Sequence, residues 1–171
     1  SPVIYTVTDP GYATNAYTVT IVLGPPPILV GASGSGTLLF DALPPVQEWC
    51  TLNVGGAAGD ITTAAGLDSM VQTNIAANIS TVLGSSGTVP PSANNIARRN
   101  SAQSLLQLRP STTKAVVLMA RLYNQSGGGL YGLTISYDMG TPITPANVEQ
   151  VPGLRAYYSL TGLANSWTVI P

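Results

Sequence analysis

Glycine and proline interrupt this chain so often that long regular elements have no room. Eighteen glycines and fourteen prolines are spread over 171 residues. Between them lie apolar runs of a few residues, many with a period of two. That period puts every second side chain on one face of a strand, and glycine and proline set the turns between strands. Many short strands with punctuated turns predict an all-β fold, an antiparallel β-sandwich of jelly-roll or immunoglobulin-like type. The apolar fraction, 44%, is enough for a packed core at this length.

The first forty residues differ from the rest. Val3, Tyr5 and Val7 alternate with Ile4, Thr6 and Thr8; Asp9-Pro10-Gly11 is a turn signal; Tyr17, Val19, Ile21 and Leu23 alternate again. Residues 1–24 are therefore an extended strand segment. Residues 25–36, Pro25-Pro26-Pro27 through the Gly/Ser run to Gly36, form a linker that is stiff and then flexible. Residues 37–171 make the sandwich body.

Within the body one short helix is expected after Thr62 or Thr63, because Leu67, Met70 and Val71 share a helical face. Ile79 to Leu83 predicts a short strand and Gly84 to Asn100 a polar loop. Lys114 to Asn124 is the strongest strand. Gly127-Gly128-Gly129 then predicts a hairpin connection into a strand from Leu130 to Asp138. There Tyr131, Leu133, Ile135 and Tyr137 share one face, which is read as facing the core. Leu154 to Leu160 and Trp167 to Ile170 supply the last strands.

The chemistry available is sparse. The chain has no histidine, one cysteine (Cys50), six basic and seven acidic residues, and a net charge of −1. Acid–base and nucleophilic catalysis lean on imidazole, paired carboxylates, activated thiols or buried lysines. The composition therefore argues against an enzyme, and no catalytic, cofactor or metal residues are assigned. The acids Asp60 and Asp68 flank the expected helix and Asp138 ends a strand, without the spacing of a calcium loop. Cys50 beside Trp49 is read as a core residue and Lys114 as a charged strand-edge guard. Arg98-Arg99, the one adjacent basic pair, is read as a solvated loop tip. Nucleic acid is excluded as a partner for want of a basic surface. No apolar run reaches the length of a membrane span. Low charge with abundant Thr, Ser, Ala, Asn and Gly favours an extracellular or cell-surface location, where Asn78 and Asn124 match the glycosylation acceptor pattern.

A string of short motifs carries a resemblance. It runs through Leu38-Leu39-Phe40-Asp41 with Pro44, Pro45 and Trp49, Asp60-Ile61-Thr62-Thr63-Ala64-Ala65, and Leu108-Arg109-Pro110. It continues with Leu133 to Asp138, Glu149 to Arg155, and Tyr157-Tyr158-Ser159-Leu160. With these marks the stretch from Phe40 to Pro171 resembles β-sandwich modules of poorly defined function in large secreted or surface proteins of environmental bacteria. The resemblance implies location and architecture and carries no active site. Such modules continue beyond the strand at Ser166-Trp167-Thr168. This chain is accordingly expected to be a piece or processed form of something longer, with an incomplete sheet.

These readings converge on a structural subunit of an extracellular fibre or surface assembly. The N-terminal segment would donate a strand to the next copy's sheet, head to tail, with Val3, Tyr5, Val7, Tyr17, Val19, Ile21 and Leu23 at the subunit interface. The partner is the chain itself, and no cofactor is needed. The alternative is a carbohydrate-binding or adhesion module of a larger secreted protein. In that reading Tyr157 or Tyr158, adjacent and so pointing oppositely in a strand, stacks on a glycan.

Overall fold

The computed structural model describes residues 3–7, 15–19, 27–55, 61–94, 96–111, 113–140, 151 and 153–170. Among them are eleven short strands and one helix, in chain order β1 (Val3–Val7), β2 (Asn15–Val19), β3 (Ile28–Val30), β4 (Trp49–Gly55), α1 (Ala64–Gln72), β5 (Gly84–Ser86), β6 (Ile96–Asn100), β7 (Leu105–Arg109), β8 (Lys114–Ala120), β9 (Leu122–Asn124), β10 (Ala156–Tyr158) and β11 (Thr168–Ile170). They form four two-stranded sheets and one of three strands, and none of these sheets closes into a barrel. The expected β-rich class with one short helix is what the chain adopts.

The pairings follow from where the apolar alternation lies. β4 and β8 run antiparallel over seven residues, from Trp49 opposite Ala120 to Gly55 opposite Lys114. Their inward residues Cys50 and Met119 are buried together with Ile79, and Val46, Leu52, Ala76, Val117 and Trp167 pack around them. In β3, Ile28 and Val30 are buried while Leu29 faces out, and the strand pairs in parallel with β9. β6 pairs antiparallel with β7 and parallel with β5, and lies against both β4 and β8. Two of the six pairings are thus parallel, where an all-antiparallel arrangement was expected.

The helix begins where a local cap allows it. The Thr63 hydroxyl accepts the Gly66 N–H at 3.1 Å, and Val71 is the buried residue of the apolar face. β1 and β2 pair with each other, Tyr5 opposite Tyr17 and Val3 opposite Val19. Ile21, Leu23 and Asp60 lie outside the described residues.

Three expectations are corrected. Ile79 to Leu83 is not a strand: Thr51 and Thr81 exchange one pair of backbone bonds, at 3.0 and 3.2 Å, and from Gly84 the chain leaves to pair with β6. The region read as a loop from Gly84 to Asn100 holds two strands, β5 and β6. Arg98-Arg99 is not a loop tip but part of β6. Arg99 is buried and donates from Nε to the Phe40 carbonyl at 2.5 Å and from Nη2 to that of Asp41. A planar guanidinium matches two neighbouring carbonyls, which offsets the loss of water around the charge.

Candidate functional site

The longest strand tract, β8 running into β9, carries the feature that most bears on function. Its sequence from Lys114 to Ala120 is β-branched and apolar. Met119 points into the core, so odd-numbered residues face inward and Lys114, Val116, Leu118 and Ala120 face the other way. Arg121 sits at the junction. Its N–H donates to the Glu48 carbonyl and its own carbonyl accepts from Ile28, both at 2.9 Å. An extended residue projects both groups to one edge, so β4 and β3 lie end to end along the same edge of residues 114–124. The other edge, where the peptide groups of Val116, Leu118, Ala120 and Leu122 point, has no strand among the described residues. Only the Ser111–Lys114 bridge touches its start.

The Arg121 side chain closes the inner end of this edge structure. Nη1 donates to the Val46 carbonyl at 2.6 Å, and Nη2 to those of Ile79 at 3.0 Å and Ala76 at 3.4 Å. The Cys50 thiol donates to the same Ile79 carbonyl at 2.8 Å, and burial pushes its pKa up. Cys50 is a core residue, as expected from its neighbours in sequence.

Directly after β9 the chain should turn back along the bare edge, and it does not. The Asn124 amide donates to the Gly128 carbonyl at 2.7 Å while its oxygen accepts from the Ser126 N–H and hydroxyl at 2.9 and 2.7 Å. With Gly127 at φ 80°, this loop leads into residues 130–140, which are exposed throughout. Residues 130–140 follow without a backbone partner among the described residues. Tyr131 is fully exposed at 103%, and Leu133, Ile135 and Tyr137 are exposed at 52, 59 and 62%. The expected hairpin is therefore absent, and the expected core placement of Tyr131 and Tyr137 is corrected: this apolar face is bare. Asp138 belongs to the same exposed segment. An apolar run of this length in water is the usual mark of an interaction surface.

A second polar constellation ties the C-terminal strands to α1. Arg155 and Tyr157, two apart in sequence, reach the same carboxylate: Arg155 Nε and Nη2 donate to the two Asp68 oxygens at 2.8 Å each, and the Tyr157 hydroxyl donates to one of them at 2.6 Å. Arg155, then Tyr157, hold the Asp68 carboxyl below its ordinary value. Burial and the hydrogen bond to Asp68 push the Tyr157 hydroxyl up to about 12. Nearby, Trp167 Nε1 donates to the Asn74 carbonyl at 2.8 Å, and the Gln72 side chain brackets the Trp167 backbone. Sequence reading placed Asp68 near the helix but missed its partners, since 87 residues separate it from Arg155.

The glycan candidates divide as their adjacency implied. Tyr157 is turned to Asp68, while Tyr158 is 50% exposed. Asn78 and Asn124 are both exposed. Of the interface candidates, Val3, Tyr5, Val7, Tyr17 and Val19 lie in the β1–β2 pair. A cleft of about 230 Å³ between Pro27, Ile28, Leu38 and Glu48 offers a single carboxylate. No helix is long and apolar enough to cross a membrane among the described residues. No protein family, curated protein or solved structure matches this chain, so the reading of these surfaces rests on their own geometry.

Proposed function

We propose that this protein is a structural subunit of an extracellular fibre or surface assembly, built from a β-sandwich body and joined to further copies by β-strand addition. One observation carries the reading: among the described residues the longest strand tract has no strand along one edge of its backbone donors and acceptors, and an apolar exposed segment follows it in sequence. Proteins that remain monomeric blunt such edges; proteins that assemble use them. The sandwich itself is supported by β6 lying against the β4–β8 pair. In this assembly the N-terminal strands, Val3 to Leu23, join the next subunit's sheet at an edge other than that of β8 and β9, head to tail, a contact that generates open filaments. The sparse charge is in keeping with work done through backbone pairing and shape, with no catalytic step, outside the cell.

The test is removal of Ser1 to Gly24. Electron microscopy of the full chain should show polymers and the shortened chain should give discrete particles; polymers surviving the deletion would overturn the N-terminal linkage. A second reading, glycan binding, is favoured by the half-exposed Tyr158. It requires calorimetric affinity for a glycan that Tyr158→Ala abolishes.

A further inference from the structure

The geometry points to a second, separate linkage: we infer that residues 130–140 are a donor strand for the bare edge of β8 and β9 in another copy of this chain. The inference deepens the assembly reading and rests on it.

Three features of the sequence and structure select this occupant. The first is length: past the Ser111–Lys114 bridge, the edge without a strand among the described residues runs from Val116 to Asn124, and the alternating segment from Leu130 to Asp138 is likewise nine residues long. The second is parity. In an antiparallel pair, residues directly opposite share a face. If Asn124 lies opposite Leu130, then Val117, Met119 and Arg121 lie opposite Tyr137, Ile135 and Leu133. The odd-numbered positions of β8 face the core, so this register continues the core with the apolar side chains that are now exposed. Thr134, Ser136 and Asp138 continue the outer face of Ala120, Leu118 and Val116. A one-residue slip would invert both faces.

The third is charge. The same register puts Asp138 diagonal to Lys114, the one lysine of the chain, on the same outer face. The other charged residue of the pairing, Arg121, has its guanidinium committed to the Val46, Ala76 and Ile79 carbonyls, so Lys114 and Asp138 set the alignment. Asn124 and Ser126 bond within the intervening loop, and the segment beyond it has no strand partner among the described residues. The acceptor is therefore a second copy rather than the donor's own β8. Exchange of an identical element between copies is a low-cost route to association.

Cysteine pairing tests the register. Ala120 and Thr134 are directly opposite in it, about 5.5 Å apart at Cα in a hydrogen-bonded pair, within reach of a disulfide. The native Cys50 is fully buried and does not compete. Full-length Ala120→Cys and Thr134→Cys chains, mixed under mild oxidation, should give a covalent heterodimer that neither variant gives alone. Leu118→Cys with Ser136→Cys should behave the same way. Lys114→Glu should lower the yield roughly two- to fivefold and Asp138→Lys in the same chain should restore it.

The inference is overturned if the mixture gives no heterodimer. It is also overturned if a chain carrying both cysteines closes only on itself at every concentration, since the segment would then be folding back on its own edge. Ser136→Pro removes a backbone donor from the pairing and should abolish the heterodimer without moving the unfolding midpoint of the monomer; an unchanged yield would also sink the inference. The cross-link is read again in chains lacking Ser1 to Gly24. Polymers lost with the cross-link retained separates the two linkages, and a lost cross-link with polymers retained refutes this one alone.

Discussion

The arginines show how this chain uses scarce charge. Arg99, Arg109 and Arg121 each place a guanidinium on main-chain carbonyls of distant segments: Phe40 and Asp41, Pro91 and Ser92, and Val46, Ala76 and Ile79. Loops without regular pairing leave carbonyls in need of donors, and a five-donor fork satisfies several at once. Arg121→Met keeps much of the volume but strands the Val46 carbonyl, while Ile79 retains the Cys50 thiol. The expected loss is about 2–4 kcal/mol, measured by urea unfolding. None of these partnerships was legible, because Arg121 and Val46 are 75 residues apart and a carbonyl leaves no mark in the sequence.

The Asp68 cluster gives stability a pH signature in two directions. The Tyr157 pKa is raised from 10.0 to about 12, so its contribution is complete below pH 10 and is lost as pH rises through about 12. The Asp68 pKa is lowered from 3.8; that contribution is present above 3.8 and is lost as pH falls through the depressed value. Melting temperature against pH should therefore drop on both flanks. Tyr157→Phe should make the alkaline drop between pH 10 and 12 shallower, leaving the part due to the buried Cys50 thiol, whose pKa is also raised, and Asp68→Asn should remove the acid one. A Tyr157→Phe profile still falling as steeply as the parent's over that alkaline range would contradict this assignment.

At the scale of elements, features decided by near neighbours are legible in the sequence. The cap at Thr63 and the face containing Val71 need only a few neighbouring residues, and α1 forms where they indicate. Thr63→Ala should cost about 1 kcal/mol, whereas Thr62→Ala, one position outside the cap, should leave the unfolding midpoint unchanged. Glycines at positive φ separate in the same way. Gly34 at φ 89° has open space where a Cβ would go, but at Gly55, φ 99°, that atom would lie 2.6 Å from the Thr113 carbonyl oxygen. Gly34→Ala should cost about 1–2 kcal/mol from backbone strain alone and Gly55→Ala clearly more, as chemical denaturation of the pair will show. What failed was pairing. The alternation at Leu130 to Asp138 was recognised, yet period two reports only that a segment can be a strand. Whether it finds an edge depends on contacts outside the segment, and here Asn124 and Ser126 bond within their own loop while the residues after it have no strand partner among the described residues. The strand from Ile79 to Leu83 failed for a related reason: burial of Ile79 and Leu83 explains the apolar signal without any ladder.

For the whole molecule, the same two residue types, apolar and uncharged, are asked to do opposite things on β8 and on residues 130–140. Met119 is buried against Cys50 and Ile79, while Ile135, which would lie opposite it in another copy, is 59% exposed. A lysine at the first position has to be accommodated in the core of every copy, so Met119→Lys should unfold the protein or lower its stability by several kcal/mol. A lysine at the second is solvated in the isolated chain and desolvated only on pairing. Ile135→Lys should thus change the unfolding free energy of dilute protein by less than about 0.5 kcal/mol. In sedimentation at high concentration it should move the chain toward the monomer. Equal destabilisation by both substitutions would mean that Ile135 already sits in a core of its own chain, and unchanged association would mean that its face is not buried between copies.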